Sequence, residues 1–211
     1  MSQLFSHLRV SSEYSISQGL LTIDQIVENA EKYSIPSVAL TDQSNMFGLV
    51  KFFNKCEAAG IKPISGASIR MIFEKDESAY ELLCLAKTNS GHKNLMKVIS
   101  NAHNNTLFKT PIIKFNDLIE LKDDIVVISG GKGSHIFEHL KRDNLKEANV
   151  IIEELRKNFN DDFALEAQRT NRIDEVDYFN KVLPISIEKG IPVIATNDVL
   201  FSNKDDFDIH E

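Results

Sequence analysis

Short apolar runs and longer amphipathic stretches alternate from one end of the chain to the other. Residues 4–10, 37–41, 62–73, 80–86, 125–129, 163–167 and 193–196 are apolar runs of strand length and predict seven β-strands. Between them the apolar positions take helical spacing. Ile23, Ile26, Val27 and Ala30 form one stripe, and Thr22 with Gln25 three residues on makes the capping box that starts a helix. Leu49, Phe52, Phe53 and Cys56 form a second stripe, stopped by Gly60. Leu145, Ala148, Ile152, Leu155 and Phe159 form a third. A last helix over 175–189 contains Pro184, which predicts a kink or a restart there.

Strand, helix, strand in repetition predicts a parallel sheet with helices outside it. No low-complexity linker divides the chain, so residues 1–211 read as a single domain. No G-x-G-x-x-G follows the first strand, which favours a closed or nearly closed barrel over an open dinucleotide-binding sheet. In such a barrel, chemistry gathers where the strands run out at their carboxyl ends.

Composition narrows the picture. With 211 residues, 42% of them hydrophobic, the chain can bury one sizeable core. Mean hydropathy is −0.20, and no segment approaches the roughly 18–20 apolar residues of a membrane span. The amino terminus lacks the pattern of a signal peptide. Cys56 and Cys84 sit in apolar patterns and read as buried, reduced thiols of a cytoplasmic protein. A net charge of −7 argues against a domain that clamps nucleic acid by itself.

At the strand ends, alternation places His7, Arg9 and Ser11 on one inward face of the first strand. The second strand runs into Thr41-Asp42-Gln43, the third carries Ser68, and the fourth opens at Glu81. The fifth ends in Ser129-Gly130-Gly131, and the last in Asn197-Asp198-Val199-Leu200. The glycine-rich stretch 129–134 lacks the spacing of a phosphate-binding loop and reads as a tight barrel turn. His92, His103, His135 and His139 read as surface or capping residues.

Six segments carry a resemblance: H-L-R-V-S-S-E-Y-S at 7–15, A-L-T-D-Q-S-N-M-F-G-L-V-K-F at 39–52, G-I-K-P-I-S-G-A at 60–67, L-A-K-T-N-S-G-H-K-N-L at 85–95, V-V-I-S-G-G at 126–131 and I-P-V-I-A-T-N-D-V at 191–199. In order and spacing they are similar to the PHP domain at the amino terminus of bacterial replicative DNA polymerases, the alpha subunits of DNA polymerase III. The resemblance implies an α/β fold, a distorted seven-stranded (β/α)7 barrel akin to a TIM barrel. It also implies that these residues begin a longer polymerase chain.

PHP enzymes hold a metal cluster at the barrel mouth with His, Asp and Glu ligands. On the matching positions this chain has Arg9 and Ser11 for the H-x-H pair, Gln18 for a carboxylate and Gln43 for a His. Ser68 replaces a Glu, Glu81 a His, Gly131 a Cys or His, and Leu200 the last His, while Asp198 is retained. His7 and Asp42 are further groups able to bind metal. A guanidinium cannot ligate a metal, and a multinuclear site cannot be assembled from what remains, although a single weak Mg²⁺ site is conceivable from three carboxylates. Arg9 is expected to supply the missing positive charge to Asp42, Glu81 and Asp198.

The resemblance implies DNA-directed DNA synthesis for the whole protein, with Mg²⁺ bound outside these residues and no cofactor in this domain. The implied partners are the remainder of the polymerase chain, the proofreading epsilon subunit and other replicase holoenzyme subunits. DNA would be reached through other domains, and no membrane is involved. The segment itself would be a non-catalytic structural and docking module. The alternative is a metal-dependent phosphoesterase, a pyrophosphatase or 3′–5′ exonuclease acting in proofreading.

Overall fold

The computed structural model describes residues 5–16, 18–73, 78–105, 109–203 and 206. Helix α1 (Ile23–Lys32) starts where the capping box places it. Thr22 Oγ1 accepts from Gln25 N–H at 3.2 Å, and Gln25 Oε1 accepts from Thr22 N–H at 2.9 Å. Then follow β1 (Ser37–Leu40), α2 (Leu49–Ala58), β2 (Lys62–Ile72) and β3 (Tyr80–Ala86). Next come α3 (Asn89–Asn104), the two-residue β4 (Ile113–Lys114), α4 (Phe115–Ile119), β5 (Ile125–Ile128) and α5 (His135–Lys141). The chain continues through α6 (Leu145–Phe159), a short 3-10 turn, β6 (Phe163–Gln168), α7 (Asp174–Lys189) and β7 (Val193–Thr196). Helix α7 runs through Pro184 without restarting and ends at Gly190 with φ 64°, the left-handed conformation that suits glycine.

The sheet order is β1-β2-β3-β5-β6-β7, with β4 paired to β2. Two expectations need correction. The sheet is mixed, because β3 is antiparallel to both β2 and β5. Only residues 73–79 separate β2 from β3, too few for the crossover that a parallel pair requires. The expected opening strand over 4–10 is also absent as a regular element. Residue 4 lies outside the described residues, and the rest makes isolated parallel bridges, His7 to Val38 and Val10 to Val199.

Those bridges close the ring. Ala39 N–H donates to His7 O at 2.9 Å and Thr41 N–H to Val10 O at 2.9 Å on one side. On the other, Ser11 N–H donates to Val199 O at 3.0 Å and Val199 N–H to Arg9 O at 3.4 Å. The segment 7–11 therefore stands between β1 and the end of β7 as the seventh stave of a distorted barrel. Three residues of it are matched to two of β1, which is the signature of a bulge.

The bulge changes which side chains face inward. Val10 joins Val38, Leu40 and the helices α1 and α2 in an outer core. Leu8 packs against the barrel floor of Ala39, Leu83, Leu85 and Ile128, and Arg9 also points inward. A larger outer core joins β2, β3, β5 and β6 to α3, α5, α6 and α7. The floor is apolar, so polar groups concentrate at the opposite end of the barrel.

Candidate functional site

At that end, β6 sends Ala164, Glu166 and Gln168 inward, while Phe163 and Leu165 face the helices. Glu166 is fully buried, at 0% exposure. Arg9, itself 6% exposed, forks onto it: Nε donates to Oε1 at 2.9 Å and Nη2 to Oε2 at 2.9 Å. Gly131 N–H and Thr196 Oγ1 also donate to this carboxylate, and Ser129 Oγ accepts from Glu166 N–H at 2.9 Å. A buried charge is tolerable only when paired and hydrogen-bonded in this way. Burial pushes the Glu166 carboxyl up, but the Arg9 charge and these donors outweigh it, and Glu166 stays below the ordinary carboxylate range. Burial works against the Arg9 cation, and the carboxylates of Glu166, Glu81 and Asp198 overcome it and hold the guanidinium charged.

Glu81 stands at the rim of the same network. Arg9 Nη1 reaches its Oε2 at 3.4 Å, and Gln43 Nε2 reaches its Oε1 at 3.4 Å. Burial lifts the Glu81 carboxyl above its ordinary range; Arg9 pulls it down while Asp198 and Glu166 push it up. Asp198 takes its direct partner from outside the ring, with Arg172 Nη1 and Nη2 both 3.4 Å from its Oδ2.

Asp42 has a different task. Its Oδ1 accepts from Ser12 N–H at 2.7 Å and Ser15 Oγ at 2.6 Å, and its Oδ2 from Ser12 Oγ at 2.8 Å. It pins the loop that follows the first stave. Ser15 Oγ also accepts from Gln43 N–H at 3.0 Å, so the 41–43 turn and this loop are one unit. Ser68 holds that turn through its backbone, its N–H donating to Asp42 O at 3.2 Å and its O accepting from Ser44 N–H at 2.7 Å.

The remaining candidate positions are scattered. His7 lies on the outer side of the first stave with Val10 and Val38, lining a cleft of about 190 Å³ against α1, and burial lowers its pKa. The bulge is the reason it parts from Arg9. Gln18 sits half-buried in a turn where its N–H donates to Ser15 O at 2.9 Å. Leu200 contributes its carbonyl to Leu20 N–H at 2.8 Å, and Ser11 is buried beside Arg9 on the first stave.

The PHP domain family matches residues 7–170 of this sequence. The chain belongs to that family. Among curated relatives, the DNA polymerase III subunit alpha of Escherichia coli strain K12 is 38% identical over 210 residues. That of Vibrio cholerae is 35% identical over 209. Each alignment covers 98% of this chain, which spans only 18% of the length of those relatives. Two solved structures share the fold at 14% identity. A candidate metal-dependent phosphoesterase from Bifidobacterium adolescentis gives a TM-score of 0.66 over 94% of this chain and 88% of its own. An amidohydrolase from Chromobacterium violaceum gives 0.55 over 92% and 87%.

Among the described residues, no three His, Cys, Asp or Glu side chains converge on one point. The inward carboxylate of β6 is already saturated by a guanidinium, a backbone amide and a hydroxyl. A Cβ at Gly131 would lie 2.3 Å from Oε1 at the end of the Gln168 side chain, which would have to move to admit it.

Glu166 is the residue that sequence reasoning missed. Its signal was present: a lone glutamate inside the otherwise apolar run F-A-L-E-A at 163–167. In a strand covered on both faces, such a residue needs a buried partner, a cation or a set of hydrogen-bond donors.

Proposed function

We propose that this chain is the amino-terminal PHP domain of a bacterial replicative DNA polymerase, the alpha subunit of DNA polymerase III. Its barrel mouth is closed by an internal ion pair where PHP enzymes hold metals. The reading of the whole protein rests on relatives of that name aligned across 98% of this chain. The reading of the mouth rests on the two-pronged Arg9–Glu166 contact, which places a permanent cation among the inward carboxylates. A cation fixed there by covalent structure repels divalent ions and neutralises the charge that would attract them.

The domain then acts as a structural and docking module of the polymerase, with the remainder of the chain and the proofreading epsilon subunit as its partners. Templated synthesis with Mg²⁺ belongs to other parts of the longer protein, which works in the cytoplasm. Two measurements test this. Purified protein equilibrated with Mn²⁺, Zn²⁺ or Mg²⁺ should retain less than one metal per chain by mass spectrometry and show no metal-dependent hydrolysis of a phosphodiester. Stoichiometric metal with turnover would establish the phosphoesterase alternative, which the shared fold and the rim carboxylates Glu81 and Asp198 favour.

A further inference from the structure

Helix α7 carries apolar side chains on both of its faces. The inner face buries Tyr178, Val182 and Ile185 in the outer core. The outer face carries Ile173, Val176, Leu183 and Ile187, exposed to 95%, 62%, 37% and 75%. At 100° per residue these four positions fall within one narrow stripe, interrupted only by Asn180, and span about 21 Å of helix. Lone exposed apolar residues are ordinary, but an aligned row marks a covered surface. Asp177 and Glu188, both exposed, edge the stripe.

From this arrangement, and resting on the reading of the chain as one domain of a longer polymerase, we propose that the outer stripe of α7 is the seat of the remainder of that same polymerase chain. The length argument selects this occupant. The chain spans 18% of its relatives, so under that reading a far longer stretch of the same chain is tethered to this domain and available to cover it. Interfaces between domains of one chain bury roughly 600–1,500 Å² and are more polar than obligate ones, which suits a four-residue apolar row with Asn180 at its centre. Covalent tethering supplies an effective concentration on the order of millimolar, so a stripe too small to hold a separate protein tightly suffices for a tethered one. Asp177, which Lys181 pairs at 2.7 Å, and Glu188 lie along one side of the stripe, so a covering surface is apolar at its centre with a polar rim.

The test uses the full-length polymerase chain purified without other subunits. Val176→Cys and Ile187→Cys are made singly, with Val150→Cys on the exposed side of α6 as a reference, and each is labelled with a maleimide. The native Cys56 and Cys84 are buried, and labelling of the unsubstituted full-length chain is subtracted as background. The expected result is labelling at 176 and 187 slowed at least about 10-fold relative to 150, with all three equal in denaturant. Equal rates in the native chain would overturn the proposal. Protection that appears only after the epsilon subunit is added would overturn it too, by assigning the stripe to a separate protein. Primer extension on the same preparations keeps the readings apart. Freely labelled chains that extend primers refute only the docking, whereas protected chains without polymerase activity refute the underlying function.

Discussion

Replacing Arg9 with methionine removes the guanidinium and leaves a side chain that can still lie along the barrel wall. Glu166 is then a fully buried carboxylate without a cation. Breaking one side of such a pair costs about 3–5 kcal/mol. Gly131 N–H and Thr196 Oγ1 still donate to the carboxylate, so we take the lower end, about 3 kcal/mol at neutral pH. With a urea slope of about 2 kcal/mol/M, the unfolding midpoint should fall by about 1.5 M. In the Glu166→Gln background the same Arg9→Met change should cost roughly 2 kcal/mol less, because the stranded charge is gone. Arg172→Met, which breaks the half-exposed pair with Asp198, should stay within about 0.5 kcal/mol of the parent.

The pH dependence carries a sign that separates this account from simple loss of packing. In the parent, Glu166 sits below its ordinary range, so its contribution is present above the unfolded carboxylate value and is lost as pH falls through the folded one. Without Arg9, burial raises the carboxyl against only the Gly131 and Thr196 donors. The variant's penalty is then full at neutral pH and is relieved as the carboxyl protonates on acidification. Urea titrations at pH 7 and pH 5 should show the gap between variant and parent narrowing. A midpoint shift below about 0.5 M, or a gap that neither narrows with acid nor depends on Glu166, would refute the reasoning.

Two further outcomes follow from the same geometry. Gly131→Ala should cost about 1 kcal/mol or less in chemical denaturation, because the new methyl displaces only the end of the Gln168 side chain, and Gln168→Ala should remove even that loss. His135, stacked on Tyr80 with ring centroids 4.0 Å apart, has its pKa pushed down from 6.5 to about 4 by burial and the neighbouring His139. It is neutral when folded, so stability should fall as pH drops from 6.5 toward 4, and His135→Phe should flatten that slope in a pH series of thermal unfolding.

What could be read from the sequence, and what could not, divides along a physical line. Local rules sufficed for α1, whose capping box is fully specified by Thr22 and Gln25, and for β3 and β7, whose bounds follow from apolar runs. The direction of β3 is a property of the loop before it, and strand patterning carries no sign of direction. The bulge at Leu8 and Arg9 is likewise set by how two neighbouring staves share hydrogen bonds, so period-two reasoning placed His7 and Arg9 together when the structure separates them. Charge balance explains both the success and the gap at the mouth. An inward Arg9 demanded carboxylates, and Glu81 and Asp198 were visible because they sit at strand ends. The principal partner lay 157 positions away in the middle of a strand. Mid-strand positions are where a metal-binding reading does not look, and where an internal ion pair belongs, since only there are both charges held away from water. The location of Glu166 thus bears on function: a carboxylate bonded on both oxygens at that depth serves the integrity of the barrel, and substitutions there should be read in stability before activity.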